Sequence, residues 1–210
     1  MATNIDGAKL QKCNVNSAKC KKINVNGVKV WSAAPDFLYD NGAVDGEYLK
    51  TMIGSNSWND NGYGFRSNDF SLNANGNIRL GAGASSGYGN TYSCENKAMS
   101  NLMDLSGATH LKFIGSMTCS GAYQYNHWAG IELIDNSGNS ATIVSLTQTA
   151  LTQAESITQP INQNVQINNL GLDLSKVKLQ LRYGYSHHAP WSNWYGGGGE
   201  LNISSIPVTS

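Results

Sequence analysis

Charged residues are scarce in this sequence. Asp, Glu, Lys and Arg make up 13% of its 210 residues, and 14 acidic residues balance 14 basic ones. A zero net charge gives no overall indication of a nucleic-acid or acidic-membrane partner. Only residues 1–31 are strongly basic, with six Lys against Asp6. We interpret these lysines as a solvated strand face that protects exposed edges from aggregation, and we expect no nucleic-acid partner.

Long apolar runs and a cysteine framework are also missing. No stretch approaches the roughly 18 apolar residues of a membrane-spanning helix, so we expect no membrane partner. The N-terminal "MATNIDGAKLQK" lacks the apolar core of a secretory signal, which predicts a chain that stays in the cytosol or leaves it by another route. Four cysteines are too few for a disulfide scaffold in a chain of this length, and none has zinc-ligand spacing.

A ten-residue repeat occupies residues 1–31. Its units "DGAKLQKCNV", "NSAKCKKINV" and "NGVKVW" each open on a turn pair and carry Lys at the fourth position. Such turn pairs tolerate the backbone of a two-residue hairpin turn, so the repeat predicts a small three-stranded antiparallel β-meander. In a regular register its apolar residues fall on two faces: Leu10, Ile23, Val25, Val28 and Val30 on one, and Cys13, Val15, Ala18, Cys20 and Trp31 on the other. Both apolar faces must be buried against other protein surfaces, so we expect residues 1–31 to be a docking and oligomerisation module.

A turn at Asn16-Ser17 would fix the register of the first hairpin. It would pair Val15 with Ala18 and Asn14 with Lys19, and it would bring Cys13 opposite Cys20. The separation would permit a disulfide, although a hydrogen-bonded pair is a less comfortable place for one. The alternative, which we favour, is that both cysteines are small apolar strand residues.

The remaining chain is rich in Gly, Asn, Ser and aromatic residues, a composition typical of short strands joined by ordered turns. Residues 32–35 form a small-residue and proline junction, and we expect the second domain over 36–210. "DNSGN" (135–139) and Asn75-Gly76 predict tight turns. Within 147–160 a short helix is an alternative to β-structure. The predicted strands are 47–53, 64–72, 77–82, 91–103, 109–119, 128–135, 140–147, 164–172, 177–185 and 199–208.

A second repetition indicates the architecture of this domain. "DLSGATHLKF…HWAGIELID" (104–135) can be laid over "DLSKVKLQLRY…GGGGELNIS" (173–204), which places Glu132 on Glu200. Such pseudo-repeats arise in jelly rolls, where paired connections wind two sheets over one core. The predicted fold class is therefore all-β: a small N-terminal antiparallel β-meander followed by an antiparallel β-sandwich of the jelly-roll type.

Two resemblances give this fold a context. "KKINVNGVKVW" resembles the short attachment segments that open many bacteriophage and prophage tail proteins. "MDLSGATHLKFIGS" and "LDLSKVKLQLRYGYS…GGGGELNISSIPV" resemble the strands of galactose-binding and carbohydrate-binding jelly-roll modules. Together they imply a virion component that binds other virion proteins through residues 1–31, forms homo-oligomers, and uses its jelly roll to bind host-surface glycan. A free bacterial carbohydrate-binding or adhesion module is the open alternative.

Catalytic and metal-binding patterns give little support to other functions. The glutamates of the chain are scattered, and the sequence contains no nucleophile elbow, P-loop or zinc-protease motif. We therefore expect the protein not to be an enzyme. "GGGG" (196–199) precedes a strand and not the helix of a phosphate site. The Asp- and Asn-rich segments 39–47 and 58–64 offer oxygens for a structural calcium ion, but we favour simple turns and expect no cofactor.

Three aromatic stretches, 58–65, 123–128 and 183–195, carry the strongest functional signal and hold four of the five Trp. Aromatic faces stack on sugars while polar neighbours bond the hydroxyls; the alternative is that part of the cluster is core. Successive links of an antiparallel sandwich alternate between its two ends, which predicts that all three aromatic loops lie at the same end. The predicted glycan-binding surface comprises Trp58, Tyr63, Tyr123, Tyr125, His127, Trp191, Asn193 and Trp194.

Overall fold

The computed structural model describes residues 14–15, 18–19, 22–25, 28–32, 34–45, 49, 52–60, 64–86, 91–121, 125–149, 155–188 and 195–210. Within these residues all regular structure is β, and no helix is long and apolar enough to cross a membrane. The strands are β1 (Asn14–Val15), β2 (Ala18–Lys19), β3 (Lys22–Val25), β4 (Val28–Ser32), β5 (Phe37–Asp40), β6 (Ala43–Val44), β7 (Met52–Asp60), β8 (Gly64–Ala74), β9 (Asn77–Ser86), β10 (Thr91–Ser100), β11 (His110–Gly121), β12 (Tyr125–Asp135), β13 (Ser140–Thr149), β14 (Glu155–Gln166), β15 (Val177–His188) and β16 (Tyr195–Thr209).

Two antiparallel sheets make up the main domain. The first sheet has the order β13-β12-β15-β10-β7. In the second sheet β14, β11 and β16 follow one another, β16 also pairs with β9, and β9 pairs with β8. The hairpin β5–β6 lies beside the C-terminal part of β16, where Ile206 pairs with Tyr39. Ten long strands are thus shared equally between two sheets.

The strand order identifies a jelly roll. From β9 to β16 each successive strand changes sheet, except that β12 and β13 lie in the same one. The order β9-β16-β11-β14 in one sheet is therefore matched by β10-β15-β12-β13 in the other. This is the double Greek-key winding of a jelly roll. β7 and β8 add one further strand to the same edge of each sheet. The predicted β-sandwich jelly roll is therefore confirmed.

Strand alternation builds a core between the sheets. In β12 every second residue from Tyr125 to Asp135 is buried, and in β15 the buried set includes every second residue from Val177 to His187. Phe113, Leu201 and Leu80 supply matching apolar side chains from the second sheet. Alternate inward-facing residues of both sheets therefore form one hydrophobic interior.

The glycine run at 196–199 makes room for tyrosines that span this core. A Cβ on Gly199 would lie 2.3 Å from the Tyr183 hydroxyl, and one on Gly197 would lie 2.7 Å from the Tyr185 hydroxyl. A Cβ on Gly199 would also lie 2.0 Å from the Thr118 carbonyl oxygen. β16 thus needs glycine here because two large side chains of the opposite sheet reach its backbone.

Several predicted strand boundaries were wrong. The structure places a strand at Met52–Asp60 where 47–53 was predicted, and at Glu155–Gln166 where 164–172 was predicted. Residues 155–160, in the segment where a helix competed, are strand, while 150–154 lie outside the described residues. Polar residues Ser, Thr, Gln and Asn dominate β14, an edge strand with one partner, so the apolar alternation that marks buried strands is weak there.

The predicted turns are present. Asn75 and Gly76 have φ angles of 53° and 79°, and Asn41 and Gly42, within the segment weighed for calcium, have 45° and 94°. Asn-Gly suits such turns because both residues tolerate positive φ. In the turn after β12, the Asp135 carboxylate accepts bonds from the backbone N–H groups of Ser137 and Asn139, each at 2.9 Å.

The N-terminal repeat forms hairpins. Val15 pairs with Ala18 and Asn14 with Lys19, as predicted, while Cys13 and Cys20 lie outside the described residues. The described strands form two separate two-stranded sheets, β1-β2 and β3-β4, and not one three-stranded meander. A register shift between Ile23 and Asn24 pairs Ile23 with Trp31, so the regular register behind the two predicted faces was wrong in this hairpin. The role of residues 1–31 as a separate docking module stays a prediction.

Candidate functional site

The ends of the main strands converge as the alternation argument predicted. Asp60 pairs with Tyr92, and Tyr125 pairs with His187 in the first sheet. In the second sheet Gly121 pairs with Gly197, and Tyr195 pairs with Ser86. The strands that flank the three aromatic connections therefore end at one end of the sandwich.

The predicted site residues fall into two groups. Tyr63, Tyr123, Trp191, Asn193 and Trp194 lie outside the described residues, and Trp58 is described only through its backbone, which pairs with Cys94 in β10. Tyr125 and His127 lie in the interior, each about 1% exposed. Both residues lie an even number of positions from Ile131 and Leu133 along β12, so their side chains point to the same inner face of the sheet. The binding role of the set stays a prediction, and the side chains of Tyr125 and His127 belong to the buried core.

His127 is the centre of a buried aromatic cluster. Its ring lies 4.8 Å from Tyr185 and 4.9 Å from Tyr125, and its Nδ1 atom is 2.7 Å from the Tyr183 hydroxyl. Burial lowers the pKa of His127 to about 4, although the Ser120 carbonyl acts in the opposite direction. A neutral imidazole is therefore part of the packed interior at neutral pH.

A different set of candidate site residues lies on the outer face of the first sheet. Trp128 is half-buried, and its indole occupies the space that a side chain on Gly184 would fill: a Cβ there would lie 2.0 Å from Cε2 and 2.3 Å from Nε1. Gly184 on β15 pairs with Trp128 on β12 at one side and with Glu95 on β10 at the other. The indole Nε1–H donates to Glu95 Oε1 across Gly184, at 3.0 Å.

An ion-pair network continues from Glu95 along this face. Arg182 Nη2 lies 2.8 Å from Glu95 Oε1, and its Nη1 lies 2.8 Å from Glu132 Oε1. Lys97 Nζ is 2.9 Å from Glu95 Oε2, and Gln180 Nε2 donates to Glu132 Oε2 at 2.6 Å. We call this surface the Trp128 face; it consists of Glu95, Lys97, Trp128, Glu132, Gln180 and Arg182.

The electrostatics of the Trp128 face favour fixed charges. Burial would raise the pKa of Glu95, but hydrogen bonds from Trp128, Lys97 and Arg182 lower it below the ordinary value. The two carboxylates and two cations cancel, so the face has no net charge. A general acid would need a raised pKa; Glu95 is instead held ionised, as a hydrogen-bond acceptor.

No metal centre is evident in the part of the chain that the structure describes. There, no three His, Cys, Asp or Glu side chains lie close enough together to hold an ion. Glu132 and Glu200 lie on the outer faces of different sheets, paired with Arg182 and Arg79 respectively. The sequence overlay of these two glutamates therefore reflects equivalent strand positions.

Trp128 and Arg182 were missed as candidate site residues, although the sequence indicates that both point outward. The stretch "YNHWAGIELID" alternates, with Ile131 and Leu133 inward, so Trp128 and Glu132 must point outward. The same parity in "VKLQLRYGYSHH" directs Arg182 outward. Trp128 belongs to the aromatic stretch 123–128, but the predicted binding surface took Tyr123, Tyr125 and His127 from that stretch and left Trp128 out.

The sequence matches no protein-family model and no curated protein. Similar solved structures include the enzymatically active domain of bacteriophage CBA120 tailspike protein 4, with 11% identity and a TM-score of 0.36 over 82% of this chain and 21% of that one. TmCBM61 in complex with beta-1,4-galactotriose shares 8% identity, with a TM-score of 0.32 over 82% of this chain and 97% of that one. The family 11 carbohydrate-binding module of Clostridium thermocellum Lic26A-Cel5E shares 10% identity, with a TM-score of 0.32 over 86% and 97%. The chain spans about a fifth of the length of the tailspike domain.

Proposed function

We propose that the jelly roll is a non-catalytic carbohydrate-binding module whose ligand lies on the Trp128 face. The observation that carries the proposal is the position of the Trp128 indole over Gly184, between strands whose neighbouring outward side chains are charged. An aromatic ring held against a sheet presents a flat apolar surface to the C–H face of a sugar. Its polar neighbours can bond the hydroxyls at the edge of the same sugar.

The network around Trp128 is suited to a neutral ligand. Arg182 and Lys97 are neutralised by Glu95 and Glu132, so an anionic polysaccharide gains no net attraction. The charged groups already hold one another in place, which reduces the side-chain entropy lost when a ligand binds. We therefore expect selection for neutral glycans through hydroxyl geometry.

We assign no reaction to this face. Hydrolysis of a glycoside by two carboxyl groups needs one of them protonated near neutral pH. Glu95 is held ionised, and Glu132 is bound by both Arg182 and Gln180. The groups are arranged to bind and not to transfer a proton.

In its biological setting we propose a virion component of a bacteriophage. Residues 1–31 would attach the chain to other virion proteins and to further copies of itself, and the jelly roll would bind host-surface glycan. The N-terminal phrase "KKINVNGVKVW" supports this setting. A free bacterial carbohydrate-binding or adhesion module is the second candidate, and neighbouring genes for tail and lysis proteins, or for polysaccharide degradation, discriminate between the two.

Binding titrations of single-site variants test the proposed function. The panel of neutral oligosaccharides includes beta-1,4-galactotriose and a beta-1,3-1,4-mixed-linked tetrasaccharide. Trp128→Ala should weaken binding at least about tenfold, whereas Trp128→Phe should retain part of the stacking. Loss of binding in the Trp191→Ala/Trp194→Ala variant, with Trp128→Ala unchanged, would move the site to the aromatic end of the sandwich. Absence of binding across the panel would contradict the function itself.

A further inference from the structure

A second candidate binding site lies on the outer face of the second sheet, on the opposite side of the sandwich from Trp128. It is a cavity of about 550 Å³, within the size range of small-molecule sites. Its walls come from the end of β8, from Asn75 in the following turn, and from strands β9, β11 and β16. We call it the Arg79 cavity; it is lined by Ala74, Asn75, Asn77, Arg79, Ile114, Gly115, Ser116, Glu200, Asn202 and Ser204.

A β-bulge shapes one wall of this cavity. The register between β11 and β16 shifts between Ile114 and Gly115, so that Gly115 pairs with Ile203 while Ile114 pairs with Ser205. A Cβ on Gly115 would lie 2.0 Å from the Asn202 carbonyl oxygen, so only glycine permits this approach. The Ser204 hydroxyl donates to the Ile114 carbonyl at 3.1 Å and ties the bulge together. Bulges of this kind bend a strand and redirect side chains, and they are over-represented beside functional sites.

The charged groups of the cavity are fixed in advance of any ligand. The Arg79 guanidinium forms ion pairs with both Glu200 and Asp69. Asn202 Nδ2 donates to Glu200 Oε1 at 2.7 Å, and hydrogen bonding to Arg79 and Asn202 outweighs burial and lowers the pKa of Glu200. These contacts hold the side chains of Arg79 and Glu200 in place and leave other polar groups of the lining available. Among the described residues, the Ser116 hydroxyl and the Asn75 side-chain amide have no hydrogen-bond partner.

The lining indicates the class of ligand. It contains hydroxyl, amide, guanidinium and carboxylate groups but no aromatic ring, so stacking plays no part. Arg79 is outnumbered by its two carboxylate partners, and this negative excess disfavours an anion. A neutral polyhydroxylated ligand can donate to Glu200 and Asn202 and accept from Arg79, Ser116 and Asn75. Such mixed donor and acceptor capacity matches the edge of a sugar ring.

We propose that the Arg79 cavity is a second carbohydrate site, which binds a neutral sugar residue edge-on by hydrogen bonds. The inference rests on the proposed carbohydrate-binding function and extends it, because a chain with sites on both outer faces can bridge two glycan strands. Two sites on one rigid sandwich raise the avidity for a glycan-coated surface without any change in either site.

Titration calorimetry with the same oligosaccharide panel, on the full chain, tests this proposal. The cavity variant is Ser116→Ala/Asn75→Gly, which removes two unengaged polar groups; glycine retains the positive φ of Asn75 and so preserves the turn. The control is Asn164→Ala, an exposed residue of β14 in the same sheet outside the cavity. We expect two equivalents of ligand for the wild type and for the control. The cavity variant and Trp128→Ala should each retain one site, with the other weakened roughly tenfold or more.

The outcomes separate the two proposals. A single equivalent that Trp128→Ala removes and the cavity variant leaves intact would overturn the second site and retain the first. A single equivalent that only the cavity variant removes would support the Arg79 cavity and overturn the Trp128 face. Full wild-type binding in the variant that combines all three substitutions would contradict both.

Discussion

Gly184→Ala displaces the Trp128 ring without altering any residue of the Trp128 face. A Cβ at position 184 would lie 2.0–2.3 Å from Cε2, Cζ2 and Nε1 of the indole, so the ring must swing off the sheet. Because Gly184 is in a β-strand, alanine itself is acceptable to the backbone. The substitution therefore tests whether the indole lies where the structure places it.

The expected loss of stability is small and the loss of binding is large. Moving the indole breaks the Nε1–H to Glu95 hydrogen bond, and a bond to a charged acceptor contributes about 1.5–3 kcal/mol. Because Glu95 keeps its ion pairs with Arg182 and Lys97, we expect the loss of this hydrogen bond to cost an amount at the lower end of that range. Replacing glycine by alanine in a strand returns about 0.5–1 kcal/mol. The free energy of unfolding should thus fall by about 1 kcal/mol, while glycan affinity should fall about tenfold or more, as for truncation of an aromatic anchor.

The assay compares Gly184→Ala with Gly130→Ala on the same face. A Cβ on Gly130 would come no closer than 3.9 Å to any neighbour, so this control should bind glycan as the wild type does. Chemical denaturation gives the free energy of unfolding, and titration gives the affinity. Equal affinity and stability for the two variants would refute the placement of Trp128 over Gly184.

Three further predictions concern the sandwich. Gly199→Ala, whose Cβ would meet the Thr118 carbonyl at 2.0 Å, should lower the free energy of unfolding by about 1–3 kcal/mol or more; the control Gly81→Ala, with a nearest contact of 3.6 Å, should not destabilise in the same denaturation assay. His127 has a pKa of about 4 when folded and 6.5 ordinarily, so the unfolded chain binds more protons in this interval and stability falls as pH falls from 6.5 to 4, by about 3 kcal/mol. His127→Gln should flatten that slope in denaturation at several pH values, and an unchanged slope would contradict the assignment. Arg182→Met leaves Glu95 and Glu132 half-buried without their shared cation, so it should cost about 2 kcal/mol at neutral pH and less where both carboxylates are protonated; the same loss at both pH values would contradict the ion-pair account.

Alternating apolar strands and Asn-Gly turns were sufficient to predict the jelly roll. β11, β12, β15 and the Asn75-Gly76 turn follow the local rules of period and turn chemistry, and topology then brings the aromatic connections to one end. β14 was misplaced because Gln159 and Gln163 separate its inward-facing apolar residues, so the apolar period of a buried strand is interrupted. β5 and β6, of four and two residues, were missed because such short strands show little alternation.

The candidate site was harder to predict because its key relations are between strands. That Gly184 lies beside Trp128, and that Arg182 lies between Glu95 and Glu132, depends on the registers of β10, β12 and β15. A single sequence gives the parity of each strand but not the register between distant strands. Parity alone would have placed Tyr125 and His127 inside and Trp128 outside.

The central claim is that Trp128 contacts the glycan, and its indole N–H signal tests this most directly. In a ¹⁵N–¹H correlation spectrum the chain should give one indole signal for each of its five Trp, and Trp128→Phe identifies the signal of Trp128. Titration with the neutral oligosaccharide that binds in calorimetry should shift that signal in step with the binding isotherm. Saturation of binding with the Trp128 signal unmoved, and other indole signals shifted, would contradict the account.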